Sequence, residues 1–315
     1  MQPQSTKQGR LILYCSGGLG NQMFEYAAGR FFARRLGKAL EVVKPPVSKQ
    51  RWREYKRPFQ LDAFRIEETP REMRTQDRVF FSGNPRVRQW HGLIGGVVDS
   101  EVLQEPAIYR FHADLAADPH KKNTYLNGCW QAAAYVEAVQ AELRAEYRLR
   151  APMQERSRAY AEQIHGLECP VSVHVRIGDY AVIHHATGKD GNERVSNVLP
   201  PVYYERAFEA VRQVCGDPTL VVFSDEPEGA RRLLHGAGRC VFIEGNDVFS
   251  AHEDMWLMSL CRHHVIANSS FSWWGAWLNE SLEKQVFAPR CWGNTEDSHF
   301  PDLYPRGWHI VDNLP

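Results

Sequence analysis

His174 and Arg176 stand two residues apart in Val171-Ser-Val-His-Val-Arg-Ile177, an alternating run that stops at Gly178-Asp179-Tyr180. On a strand, that alternation puts both side chains on one face. In a parallel sheet covered on both sides the face would ordinarily be apolar, and a buried guanidinium is costly without an anion beside it. The break at Gly178 places both residues at the carboxyl end of the predicted strand, where open α/β sheets bind ligands. The partner is then either a bound anion or Asp179, with His174 in the second case satisfied within the core.

Three other stretches carry comparable chemistry. Asn268-Ser-Ser-Phe-Ser272 precedes a predicted helix, and amides and hydroxyls at a helix amino terminus can hold a phosphate with neither metal nor lysine. A simple cap needs one such residue, not four. The following Trp273-Trp274 reads as packing. Ser224-Asp225-Glu226-Pro227 follows a second apolar run, where Asp225 either caps the next helix or accepts hydrogen bonds from the N–H groups of a base. Near the amino terminus, Gly17-Gly18-Leu19-Gly20-Asn21-Gln22 leads from a strand into a helix and resembles half of a dinucleotide fingerprint, with Met23 in the place of the third glycine. It is a packing turn, or one whose glycines let a substrate reach the backbone while Asn21 and Gln22 offer amides. Adjacent histidines without further ligand spacing are poor metal sites, so His184-His185 reads as surface.

The elements that must position these residues follow from periodicity. Strands at 171–177, 219–223, 240–243, 264–267 and 285–288 alternate with helices near 201–214, 227–235, 252–262 and 271–282, the pattern of a doubly wound parallel sheet. A long polar loop, 178–199, joins the first strand to the first helix, and loops of that length are usually functional. In the first half, 10–15 reads as a strand. The helix after it turns Met23, Phe24 and Ala27 inward and Arg30, Arg34 and Arg35 outward. The stretch 41–76 is interrupted by Pro45-Pro46 and rich in Arg and Lys, and its run Arg51–Arg57 reads as a solvated loop with Trp52 and Tyr55 able to stack on a sugar; 125–130 is strand-like, and 135–148 is an amphipathic helix.

The 315 residues, 43 % hydrophobic and 24 % charged, are enough for two domains. Thirty-eight basic residues balance thirty-eight acidic ones, which gives no general attraction to nucleic acid or anionic membrane. Any anion site is therefore local. Seven scattered cysteines with no C-x-x-C spacing argue for reduced thiols, and the polar amino terminus reads as neither signal peptide nor membrane span. Both point to the cytoplasm.

Taken together, Gly17-Gly-Leu-Gly-Asn-Gln-Met-Phe-Glu-Tyr-Ala27, His174-Val-Arg-Ile-Gly-Asp-Tyr180, Phe223-Ser-Asp225 and the run from Met258 to Trp274 resemble the successive motifs of the α-1,2-fucosyltransferases of glycosyltransferase family 11. Leu126-Asn-Gly-Cys-Trp-Gln131 and Asp302-Leu-Tyr-Pro305 fit the same family. Several long motifs in order are far more specific than any one alone. The resemblance implies an α/β, GT-B-like fold of two Rossmann-type domains, an acceptor-side domain at 1–165 and a GDP-sugar domain at 166–315. It implies GDP-fucose as donor, a galactose-terminated glycan as acceptor, inverting transfer to the galactose 2-hydroxyl, no metal and no cofactor. His174 and Asp225 would recognise guanosine, and Arg176 would hold the β-phosphate. Ser269, Ser270 and Phe271, with Asn268 beside them, would line the diphosphate. Gly18, Gly20, Asn21 and Gln22 would lie near the fucose and acceptor.

Two positions depart from the family pattern: Ile177 replaces a second arginine, and Glu25 replaces a glutamine. Asp179, His184 and Glu25 are the candidates for a base, with Asp179 better suited to orienting Arg176. No nucleic acid partner is expected, and membrane contact is at most peripheral, at the inner face. Two competing readings are a nucleotide-binding regulatory or lectin-like module without transfer, and a hydride-transferring Rossmann enzyme, which would need the missing third glycine. If Arg176 waits unpaired for its ligand, removing it should leave the free protein as stable or more so.

Overall fold

Leu11, Ile12 and Leu13 are all buried, because β1 (Arg10–Tyr14) runs through the middle of a parallel sheet covered on both faces. The computed structural model describes residues 9–45, 57–115, 117–118, 120–181, 183–184 and 194–314, without the side chains of 183, 184, 194 and 195. The chain divides into two compact units, Met1–Ala151 and Pro152–Pro315.

In the first unit β1 is followed by α1 (Leu19–Leu36), β2 (Ala39–Lys44), β3 (Arg71–Glu72), α2 (Thr75–Phe80), α3 (Pro85–Arg88), α4 (His91–Val97), β4 (Ser100–Gln104), β5 (Asn123–Asn127), α5 (Ala133–Ala138) and α6 (Gln140–Glu146). The sheet order is β3-β2-β1-β5-β4, parallel throughout. Two strands, β2 and β4, fall where the sequence showed no clear alternation. The helix expected over 135–148 is two short ones, broken at Val139, whose φ of −123° leaves the helical region. Arg30, expected to face outward, is instead clamped by Glu67, Glu68 and Glu146, and its side chain is only 17 % exposed.

The second unit contains α7 (Glu155–His165), β6 (Pro170–Val175), β7 (Ile183–His184), β8 (Arg194–Val195), α8 (Pro201–Cys215), β9 (Thr219–Ser224), α9 (Pro227–Leu233), β10 (Cys240–Ile243), α10 (Ala251–Ser259), β11 (His263–Val265), α11 (Ser270–Leu278), β12 (Val286–Pro289) and β13 (His309–Val311). Its main sheet is parallel, in the order β10-β9-β6-β11-β12-β13, while β7 and β8 form a separate antiparallel pair. Helix α7, inside the first domain if the boundary is drawn at 165, belongs to this unit: Ile164 joins Val221, Phe223 and Leu257 in one apolar cluster.

Alternation along β6 sorts its side chains. Val171, Val173 and Val175 pack under Tyr203, Tyr204, Ala207 and Val211 of α8. Ser172 and His174 share the other face with Val221 and Phe223, their register partners. Ser172 is satisfied there by His264, Oγ to Nδ1 at 2.8 Å, and Asn279 donates to the other ring nitrogen at 2.9 Å. The seven cysteines are all free thiols.

Candidate active site

Strand β6 ends at Val175, so His174 is the last strand residue on its face and Arg176 lies just beyond the strand. His174 is buried against Phe271, with ring centroids 5.7 Å apart. Its Nδ1 has no hydrogen-bond partner among the described residues. Burial, reinforced by the Arg176 charge, pushes its pKa down to about 3, so the ring is neutral near pH 7. A buried ring nitrogen without a partner is costly in an isolated protein, and a ligand group can supply one.

Arg176 is already paired. One terminal nitrogen lies 2.6 Å from Asp179 and the other 3.0 Å from Asp225. The expectation of an unpaired guanidinium in the free protein is therefore overturned, and the Asp179 salt bridge stands. Burial opposes the arginine's charge, but the two carboxylates outweigh it and raise its pKa. The second oxygen of Asp225 accepts the Ile177 N–H at 3.0 Å, so this side chain ties β9 to the end of β6. It does not cap α9, which has no side-chain cap; just before that helix Ser224 Oγ accepts the Glu226 N–H at 3.0 Å. Ile177 packs against the α8 side of the sheet, so losing the family's second arginine there leaves the Arg176 cluster complete.

At α11 three of the four polar residues have local roles. Ser269 caps the helix by accepting the Phe271 N–H at 3.3 Å. Ser272 Oγ accepts the Ala267 N–H at 3.2 Å. Asn268 is buried and its side-chain amide donates to the carbonyls of Asn197 and Trp292, each at 2.9 Å, while its backbone carbonyl accepts the Tyr180 hydroxyl at 3.2 Å and its Oδ1 has no partner among the described residues. Most of the polar groups in excess of a cap are therefore held within the protein, with Asn268 Oδ1 the exception. Ser270 and Phe271 begin the helix half-buried, and Phe271 adjoins His174. Trp273 and Trp274 are fully buried packing residues, Trp273 donating to the Leu303 carbonyl at 2.9 Å.

The glycine turn of the first unit is described on its own. Gly17 has φ +73°, and a Cβ there would lie 2.9 Å from Asn21 Nδ2, which explains the glycine. A Cβ on Gly18 would meet the Arg57 guanidinium at 3.0 Å, while Gly20 is buried in the first turn of α1. Asn21 accepts from Gln131 at 3.1 Å. Gln22, fully buried, donates to the carbonyls of Gly17 and Pro58 and accepts from the Gln60 N–H, all at 2.9 Å. It braces the loop and offers nothing to a substrate. Glu25 accepts the Ser16 N–H at 2.7 Å. Burial pushes its pKa well up, against the lowering effect of the Ser16 bonds.

Glu105 was not found from the sequence. Its carboxylate accepts the N–H groups of Cys129, at 2.6 Å, and Trp130, at 3.0 Å, holding a turn in which Trp130 has φ +55°. Gly128 in the Leu126–Gln131 motif was the only signal, since the partner lies more than twenty residues away. Of the remaining expectations, Trp52, Tyr55 and His185 lie outside the described residues, as does the His184 side chain.

Among the described residues, Cys169, Cys215 and His263 bring possible metal ligands within 4.8 Å of one another. They lie at the amino ends of β6 and β11 and the end of α8, the opposite end of the sheet from His174. His263 Nδ1 accepts the Gln285 N–H at 3.1 Å, so in a neutral ring the other nitrogen carries the proton and no lone pair is left for a metal.

Residues 107–311 match the model of glycosyl transferase family 11, well over half of the chain. The chain belongs to that family. An O-antigen biosynthesis glycosyltransferase, WbnK of Escherichia coli, is 29 % identical over 88 % of this chain and 93 % of its own. An alpha-1,2-colitosyltransferase of Escherichia coli is 27 % identical over 96 % and 99 %. Among solved structures, the fucosyltransferase NodZ from Bradyrhizobium has a TM-score of 0.51 at 15 % identity, covering 87 % of this chain and 94 % of NodZ. The NodZ alpha-1,6-fucosyltransferase soaked with GDP-fucose has a TM-score of 0.50 at 15 % identity, over 86 % and 93 %. The fold is thus GT-B, built from two Rossmann-like α/β units, and the family 11 chain is a glycosyltransferase of glycan synthesis. Among its described residues no helix is long and apolar enough to cross a membrane.

Proposed function

We propose that the protein transfers L-fucose from GDP-β-L-fucose to the 2-hydroxyl of a terminal β-galactoside, with inversion and without a metal. The observation that carries this reading is the Arg176 cluster at the carboxyl end of β6: a guanidinium between Asp179 and Asp225, beside a buried neutral His174 with an unpartnered nitrogen. A β-phosphate is a better partner for the guanidinium fork than a lone carboxylate, because its oxygens can take two parallel N–H bonds. Exchange of that kind would release Asp225 to accept from the N–H edge of guanine, with His174 Nδ1 turned to the same nucleoside. Ser269 and Ser270 would lie against the diphosphate at the start of α11.

In the reaction the bond from the sugar C1 to the phosphate oxygen breaks, and its electrons leave with GDP. The acceptor 2-oxygen bonds to C1 from the opposite face and gives up its proton to water. Arg176 stabilises the charge that grows on the β-phosphate, an effect typically worth about 100- to 1,000-fold per donor. Asp179, engaged by Arg176, is assigned to orienting it rather than to taking the proton. Glu25 braces Ser16, so departure of GDP carries the catalysis in this reading. We assign the acceptor side to the first unit around Asn21, and the reaction to the cytoplasm.

The colitosyltransferase relative favours one second reading of the donor, since colitose is fucose without its 3-hydroxyl. The deciding experiment offers the protein GDP-fucose and GDP-colitose with a panel of galactosides, with and without EDTA, and maps the linkage by NMR. An α-1,2-fucosyl product formed equally in EDTA is expected. Turnover with GDP-colitose alone, another linkage, or loss in EDTA restored by magnesium or manganese would overturn the corresponding part.

A further inference from the structure

The outward side of α4 is apolar. Trp90, just before the helix, and Leu93 and Val97 within it are 52 %, 65 % and 82 % exposed. Their spacing, three and then four residues, puts them in one stripe. The inward side is well packed: Ile94 and Val98 adjoin the cluster of Phe80 and Tyr125, and Gly95 is buried so close to Ser100 that a side chain there would collide. Gly92 and Gly96 face open space. A surface helix of a globular protein ordinarily turns charges to water, and this one turns tryptophan, leucine, valine and bare backbone.

Charge frames the stripe. From Arg78 to Val98 the sequence holds three arginines and no acidic residue, and Arg86 and Arg88 stand exposed on α3, immediately before Trp90. The three apolar side chains expose on the order of a few hundred Å². A protein partner ordinarily covers about 800 Å² on each side and needs pockets and matched hydrogen bonds, which glycines do not provide. A lipid surface needs neither. Tryptophan favours the headgroup level, short aliphatic side chains enter the acyl boundary, and arginines meet lipid phosphates. A seven-residue helix is far too short to span the bilayer.

We propose that Trp90, Leu93 and Val97, flanked by Arg86 and Arg88, dock the first unit on the surface of a bilayer that carries anionic lipid. This does not depend on the sugar donor. The test uses the full chain and sedimentation with phosphatidylcholine vesicles, with and without phosphatidylglycerol. Retention by the anionic vesicles, weakened by salt, is expected. Trp90→Ser, Leu93→Ser and Val97→Ser combined should abolish it while melting temperature and transfer to a soluble acceptor hold. Arg86→Gln with Arg88→Gln should lower partitioning by roughly 25-fold at low salt, at about fivefold per basic residue. This pair decides the matter if the triple variant does not fold. Failure to sediment with anionic vesicles, or equal retention of the charge variant, would overturn the proposal. So would a dimer in the ultracentrifuge that the triple variant dissolves without any vesicle binding, since the face would then join two copies of this chain.

Discussion

The turn after β1 and the turn after β6 both leave a parallel strand at its carboxyl end, and both are rich in polar side chains. Their hydrogen bonds go to different places. After β1, Gln22 is bonded to three backbone groups and Glu25 to the Ser16 amide, so the polar atoms hold the chain to itself. After β6, Arg176 is held by two carboxylates and His174 keeps a nitrogen unpartnered. A guanidinium can exchange a carboxylate for a phosphate and keep its charge paired, whereas a backbone carbonyl left inside the protein without its donor costs about 1–3 kcal/mol. The first turn is therefore built to stay as it is, and the second to exchange contacts.

The sharpest way to break this contrast is Arg176→Ala, with the largest expected effect. Transfer at saturating donor should fall by roughly 100-fold or more, because the contact strengthens as GDP leaves. The free protein should also melt lower, by about 1–3 kcal/mol, since Asp225 and Asp179 lose their common cation in a partly exposed site. Arg176→Lys should keep most of the stability and little of the activity, as an ammonium cannot span both carboxylates or grip two phosphate oxygens. Single-turnover transfer and apo melting, measured on both variants, check the pair. A lysine variant with near-normal transfer would make Arg176 a structural residue like Gln22.

Gln22→Leu probes the other side of the comparison. It leaves two half-buried carbonyls and the buried Gln60 N–H without partners, so unfolding free energy should drop by about 1–3 kcal/mol. GDP affinity, measured by calorimetry below the melting point, should be unchanged. Weakened GDP binding would show that the first turn serves the nucleotide.

The contrast also has a pH signature. His174 is held neutral, its pKa depressed from 6.5 to about 3. The unfolded chain therefore binds a proton that the native chain refuses, and this contribution to stability is complete above pH 6.5 and lost as pH falls toward 3. Between about pH 6.5 and 5 the loss should reach about 2 kcal/mol at most. His174→Gln should flatten that slope in urea titrations; an unchanged slope would place the titration elsewhere.

From β6 to β12 the order of the main-sheet strands and helices in the second unit was legible because each apolar run was short, flanked by turn residues and followed by a helical period, whereas α7, the β7–β8 pair and β13 were not anticipated. In the first unit β2 begins with an exposed Ala39 and carries a charged Glu41 that pairs with Arg10, so hydrophobicity alone does not mark it. For the site, alternation correctly put His174 and Arg176 together at a strand end. The partners were not legible: Asp225 lies 49 residues from Arg176, and only the parallel pairing of β6 with β9 brings them together. The same limit hid Glu105, whose bonds to Cys129 and Trp130 depend on β4 lying beside β5. Local hydrogen bonds, such as Ser269 with Phe271, could have been anticipated from the capping rule.

The smallest expected effect belongs to Glu25→Gln, and it is the most direct test of whether the first turn is only structural. Burial raises the Glu25 pKa well above its ordinary 4.5. The protonated form is therefore the one that folding favours, so its contribution is complete below pH 4.5 and declines as pH rises through the folded-state value. Glutamine keeps an oxygen for the Ser16 N–H and has no charge to desolvate. At low pH the variant should match the wild type within about 0.5 kcal/mol. With rising pH its melting temperature should gain on the wild type, because only the wild type must either hold a proton or bury a carboxylate. Transfer should change less than threefold, which lies within what small shifts of a turn produce, about 0.6 kcal/mol. If instead the variant melts normally but transfers 100-fold more slowly, and the low-pH limb of the wild-type rate profile disappears with it, Glu25 takes the acceptor's proton. The turn after β1 would then be as much a reacting site as the turn after β6.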